Sequence, residues 1–400
     1  MNQPATGANG PADVVFLGLR KAAPHGEIAR VLLAFLASAG LFYVNIMPAL
    51  VDGLIQGAGF TNREAGMVGS SNVYGASLGA LVAVFFVKRV NWRRASYVLL
   101  IGLISMDLLS MLVQAFLPLL AMRFVHGFIG GMLVGIGFSI IARTTQADRT
   151  FGYLLLVQFG LGGAGLMILP PLVPELGTWV LFAALIVFSG ATLLMVPFLT
   201  AYPVDAVRKP AAEAGTGIRR GPLALSLLAT FLFQAGNMAV YAYVIGLGEA
   251  AGLGMEFISP TLAAAAWIGI VGSGLVIVLP ARLGRTVPLA LAIVLTVAGT
   301  WALHFSDVEF VYIVANCLVG ITWAFGIPYL LGMCSEFDKA GQMAALGGFA
   351  SKMGLASGPM LAALVVGADD YGLVINLGTA ALAASLAAAL LPARLLDRAR

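Results

Sequence analysis

Charged residues are scarce in this chain. Asp, Glu, Lys and Arg make up 10% of its 400 residues, against about 25% in an ordinary soluble domain. So few charges do not cover a water-soluble globule of this size. With 60% hydrophobic residues and a mean hydropathy of +0.98, the chain is suited to a lipid solvent. Cysteine occurs only twice. Cys317 and Cys334 fall on one expected helix, roughly 25 Å apart at 1.5 Å rise per residue, which excludes a bridge between them. No lysine follows a glycine, so a Walker A phosphate loop is absent, and none of the three histidines opens an H-E-x-x-H zinc motif. No acid-rich cluster lies in an apolar run. The reading is therefore neither an enzyme nor a nucleic-acid binder, and it calls for no cofactor or metal.

Long apolar runs are what the chain does have. A helix needs about 20 apolar residues to cross a bilayer core. Breaking the sequence at charges and at Gly/Pro clusters gives twelve such runs. They lie near 31–53, 65–87, 97–118, 120–142, 151–173, 178–200, 222–246, 260–281, 288–305, 310–333, 342–367 and 373–392. The first thirty residues hold one short apolar run, "VVFLGL", too short to span and without a clear cleavage site. The expected plan is an all-α integral membrane protein. It has a cytoplasmic tail (1–30), a six-helix bundle (31–200), a polar linker with two prolines (201–221), a second six-helix bundle (222–393) and a short tail (394–400).

Charge sets the direction of the chain. Of the 22 Lys and Arg residues, all but Arg63, Arg123 and Lys352 fall on one side of the alternation. They occupy the tails, "KRVNWRR" (88–94), Arg143, Arg149, "RKPAAEAGTGIRR" (208–220), "ARLGR" (281–285) and Lys339. Basic loops stay in the cytoplasm, so both termini are expected inside the inner (plasma) membrane. Local signals agree. "TNRE" (61–64) reads as a capping box, and "SP" (259–260) as an N-cap serine with proline at the first helical position. Pro118 is read as part of a tight turn before the fourth run. "GASLGALVAV" (75–84) and "GIVGSGLVIV" (269–278) match at both ends and are each followed by a basic loop, "NWRR" and "LGRT". That pattern points to a six-plus-six duplication, a mark of secondary transporters.

With these features the chain resembles the major facilitator superfamily, over roughly residues 31–395. The helix 2–3 loop ending in Arg93–Arg94 fits, and "RFVHGFIGG" (123–131) is similar to the family's helix 4 signature. "ARLGR" is its counterpart after helix 8. Two departures stand out. Val87-Lys88-Arg89 lacks the aspartate that usually precedes the basic pair. "QFGLGGAGLMILPP" lacks the Gly-Pro pair typical of drug/proton antiporters. The resemblance implies a monomer in which helices 1, 4, 7 and 10 line a central cavity and Arg93, Arg94, Arg282 and Arg285 sit in gating loops.

Periodicity offers a separate check, since cavity residues share one helix face. Arg123, His126, Gly127 and Gly130 do so on helix 4. Gln234, Asn237 and Tyr241 do so on helix 7, and Asn316, Gly320 and Trp323 on helix 10. Asn45, Pro48 and Asp52 follow the same spacing on helix 1. The plainer reading is that such Asn and Gln side chains join neighbouring helices. Glycines spaced four apart (Gly127/Gly131/Gly135, Gly75/Gly79, Gly354/Gly358) read as close-packing faces. Three full charges remain inside apolar runs, Asp107, Arg123 and Lys352, with His126 as a fourth titratable group. Intramembrane charges pair with each other or face water and ligand. Asp107 can pair with Arg123 or with His126, as a structural pair or as a proton carrier. Lys352 has no acid at similar depth on its own side of the chain. The leading expectation is a secondary transporter for a small organic anion held between Arg123 and Lys352, coupled to protons or to a counter-substrate. The alternative is efflux of drugs or other hydrophobic solutes.

Overall fold

The computed structural model describes residues 20–202, 219–278, 284–337 and 344–398, apart from positions 25, 88, 145 and 369. The expected linker is thus largely outside the described residues, as are Arg282, Lys339 and most of the first tail. Among the described residues the chain is helical and holds no strand. The helices are α1 (Glu27–Ser38), α2 (Phe42–Asn45), α3 (Met47–Ala58), α4 (Asn62–Phe86), α5 (Trp92–Met111), α6 (Phe116–Ile141), α7 (Ala147–Leu176) and α8 (Trp179–Met195). They continue as α9 (Arg220–Tyr241), α10 (Val244–Ala250), α11 (Met255–Val278), α12 (Thr286–Ala302), α13 (Glu309–Glu336), α14 (Ala344–Val365) and α15 (Gly372–Arg398). Ten of them are long and apolar enough to cross a membrane: α4 to α9, α11 to α13, and α15.

Several helix ends follow from local chemistry. The Thr61 hydroxyl accepts from the Glu64 amide at 3.2 Å while the Glu64 carboxylate accepts from the Thr61 amide at 3.0 Å, so the capping box forms. Asn91 caps α5 by accepting from the Arg93 and Arg94 amides. Asp397, far along the chain in α15, caps α12 by accepting from the amides of Arg285 and Thr286 at 2.7 and 2.9 Å. Cys317 and Cys334 are both free, on α13.

Three local expectations are corrected. The run at 31–53 is broken into α1, α2 and α3, because Pro48 has no N–H to return to Val44 and the backbone leaves helical geometry at Ile46. Ser259 is not a cap. α11 begins at Met255, just after Gly252 in the left-handed region, so Ser259 and Pro260 lie inside it. Pro118 is not in the turn either. It falls in the first turn of α6, where the missing N–H has no intrahelical partner to lose.

Small residues set the closest helix contact. α4 packs along α6, and the glycines expected to form a face do so on both helices. A Cβ at Gly127 would sit 1.8 Å from the Asn72 carbonyl oxygen, and one at Gly131 would sit 2.0 Å from that of Ala76. The obstacle is backbone, which cannot rotate away. Gly127→Ala is therefore expected to push α4 and α6 apart and cost at least the roughly 1–3 kcal/mol of ordinary overpacking. Thermal unfolding of the purified protein checks this, and an unchanged transition would mean that the helices slide freely.

Other contacts pair up in a regular way. α1 packs on α7 and α9 on α14, α4 on α6 and α11 on α13, α5 on α8 and α12 on α15. Residues before 203 and after 218 meet chiefly where α4 lies against α14 and α7 against α11.

Candidate functional site

The expected site residues fall into two groups on either side of this seam. The first is a closed charge network in the N-terminal part. Asp107 of α5 and Arg123 of α6 are both fully buried, with Nη1 and Oδ1 2.8 Å apart. The other arm of the guanidinium donates to the Met106 carbonyl at 3.1 Å and to the Ser110 hydroxyl. Its plane lies 5.0 Å from the Phe182 ring centroid, a cation–π contact from α8. Arg123 thus meets four partners, all in the N-terminal part.

His126 joins the same network. Its Nε2 is 3.3 Å from Asp107 Oδ2, and its Nδ1 is 2.8 Å from Asn72 Nδ2. The Asn72 amide also donates to the Arg123 carbonyl at 3.1 Å, which fixes which way it points. Nδ1 must then be an acceptor, so the ring proton of a neutral His126 sits on Nε2, towards Asp107. Asn72 escaped the periodicity reading, although "GSSNVYG" (69–75) is an unusually polar turn for an apolar run.

The second group lies in the C-terminal part. Gln234 of α9 donates to Ser351 at 2.8 Å and accepts from the Trp323 indole at 2.6 Å, tying α9 to α14 and α13. The Trp323 ring meets that of Tyr241 edge-on, at 5.6 Å. Asn237 and Asn316 each donate to the carbonyl four residues back, at 2.9 Å. Asn237 keeps a buried carbonyl oxygen without a partner. Lys352 is half-buried and, among the described residues, no hydrogen bond or ion pair involves it. It shares a helix face with Ala356 and Pro359, and Ala356 is fully buried in the core cluster that joins both parts. Lys352 and Arg123 have no partner in common.

Hydrogen bonds across the seam lie at one end of the molecule and near its middle. At the end carrying the α3–α4 and α14–α15 turns, Asn62 donates to the Gly367 carbonyl at 2.7 Å and Tyr243 donates to that of Asn62 at 3.0 Å. Gln56 donates to Glu249. Nearer the middle, Tyr241 donates to the Asn45 carbonyl at 2.8 Å, and Asn45 donates to that of Gln158 at 3.4 Å within its own part. Tyr74 meets Ser357 at 2.9 Å, and Trp267 donates to the Gly160 carbonyl at 3.0 Å.

At the opposite end, among the described residues, every ion pair stays within one part. Arg30 and Arg149 pair with Glu27, and Arg285 pairs with Glu336 at 2.8 Å. The loop arginines sit here too. Arg93 donates to the Leu199 carbonyl and lies over Trp92, while Arg94 is exposed. One apolar crevice of about 420 Å³ opens beside the seam, between α4, α6 and α14, lined by Tyr74, Leu78, Phe124, Phe349, Met353 and Met360 among others.

Two helical parts that meet along one seam, with ten helices among the described residues long and apolar enough to cross a membrane, form the architecture of a membrane transporter. The model of the Major Facilitator Superfamily matches residues 31–363, and the chain belongs to that family. Among solved structures it is similar to a crystal structure of a mutant of the nucleoside transporter NupG. The TM-score is 0.66 at 13% identity, covering 92% of this chain and 98% of that one. No curated protein matches it.

Proposed function

We propose that the protein is a secondary transporter that carries a small organic anion across the inner membrane. Lys352 carries this reading. A lysine eight residues into a membrane helix is costly unless it faces water or an anion, and among the described residues this one has no partner. Gln234, Trp323, Tyr241, Asn237, Asn316 and Asn45 supply the polar and aromatic surroundings for such a ligand. Arg123, with Asp107 and His126, braces the opposite wall. Charge movement is compensated by a proton or a counter-substrate.

The matched helix pairings support a layout of twelve crossings in two repeats, with the broken α1–α3 run and α14 completing the ten longer helices. The basic loops support cytoplasmic termini. Single cysteines at Thr178 and Gly215 check the orientation: an impermeant thiol reagent should label only Thr178→Cys from outside intact cells. Labelling of Gly215→Cys from outside would invert it.

A second reading, efflux of hydrophobic solutes, is favoured by the apolar crevice beside the seam. The similarity to a nucleoside transporter adds a third ligand class to any screen. Thermal stabilisation of the purified protein by mono- and dicarboxylates, aromatic acids, nucleosides and cationic drugs separates them. Stabilisation by carboxylates supports the anion reading. Stabilisation by cationic drugs or nucleosides alone overturns it.

A further inference from the structure

Asp52 lies on α3 and Glu249 on α10, on opposite sides of the seam at its closed end. Asp52 is 4% exposed, and Gln56, one turn further along the same face of α3, is joined to Glu249 across the seam. Gln56 Nε2 donates to Oε2 of Glu249 at 3.2 Å, which brings the Glu249 carboxyl to the face of α3 that carries Asp52. An ionised carboxylate only accepts hydrogen bonds, so two carboxyl groups brought together on this face need a proton to join them. Among the described residues no cation pairs with either. The remaining titratable neighbour is Tyr312 of α13, whose hydroxyl donates to the Val244 carbonyl at 2.9 Å.

We propose that Asp52 and Glu249 form a proton-binding latch, in which one shared proton holds this end of the molecule shut. In the closed form the pair carries one negative charge. Opening separates the carboxyl groups into water, each ionises, and the shared proton passes to bulk solvent. The proposal rests on the alternating-access reading and assigns its coupling to a new place. A group couples protons to motion only if its surroundings differ between the two states. Asp107 and His126 find all their partners inside one part, so separation of the parts leaves them unchanged. Asp52 and Glu249 find each other only across the seam.

The closed form holds one proton more than the open form, so rising pH favours opening. The test places spin labels at exposed Arg63 and Ala250, on either side of the seam, in a variant with Cys317 and Cys334 replaced. Label distances are read in lipid nanodiscs without added substrate, between about pH 5 and about pH 9. The ratio of short to long distances should fall by up to about tenfold per pH unit through the transition. In Asp52→Asn the amide donates without an added proton, so the short distance should persist at every pH. Glu249→Gln should behave alike, and His126→Gln should keep the wild-type slope. A flat wild-type series overturns the latch, and so does a slope that survives Asp52→Asn. Because no substrate is used, an anion screen without hits and a flat pH series are separate failures.

Discussion

Asp107→Asn should cost the protein much of its stability. The carboxylate is fully buried and is the charged partner of a fully buried Arg123. Removing one member of such a pair leaves a bare guanidinium in a water-free bundle, a loss of about 3–5 kcal/mol. Folded proteins hold a margin of only about 5–15 kcal/mol, so the expected result is a sharp fall in yield and in the unfolding temperature of what is purified. The bonds to Met106 and Ser110 and the Phe182 face soften the loss without supplying a counter-charge. Replacing both members by apolar residues, Asp107→Leu with Arg123→Met, should recover part of the stability because no orphaned charge remains. If Asp107→Asn unfolds at the wild-type temperature, the pair is not a brace, and a role in proton movement returns.

Lys352→Ala should have the opposite profile, with stability kept and ligand lost. Among the described residues none depends on its ammonium for a hydrogen bond, so truncation there orphans no partner. If the ammonium meets the carboxylate of a bound anion, its loss should cost about 2–5 kcal/mol of binding, or at least about thirtyfold in Kd. Lys352→Arg should keep some affinity if the larger head fits beside Met353. Direct binding of a carboxylate found in the thermal screen decides the matter. Wild-type affinity in a folded Lys352→Ala protein would assign the lysine to packing or gating.

Apolar runs broken at charges placed the helices from α4 onward to within several residues, because burial in lipid demands continuous apolar sequence, except that the run at 222–246 is cut between Tyr241 of α9 and Val244 of α10. The break between α1 and α3 was not legible. Pro48 sits in an apolar stretch where a proline can kink a helix or interrupt it, and the choice depends on neighbours. Ser259–Pro260 misled for a related reason: the pair has the chemistry of a cap, but the turn at Gly252 starts the helix earlier. At the site, spacing put Arg123 and His126 on one face of α6 and both within reach of Asp107. Spacing alone does not say what a face meets. Arg123 turned inward to α5 and α8, where Asp107 answers its charge, whereas among the described residues no acid pairs with Lys352. The meeting of Gln56 and Glu249 beside Asp52 was hidden for the same reason, its members being nearly half the chain apart.

The hydrogen bond from Tyr241 to Asn45 joins two places where expected long helices are interrupted. The Asn45 carbonyl closes the short α2, and Tyr241 is the last residue of α9 before the chain resumes as α10. Continuous helices resist flexure, so deformation concentrates where the ladder is cut. These two cuts face one another and are tied together. While this end is shut, a tilt of the outer segment of one part therefore pulls on its counterpart, and this bond too must break before α3 and α10 can separate. Such a joint lets one end of the protein flex while the longer helices behind it keep their packing.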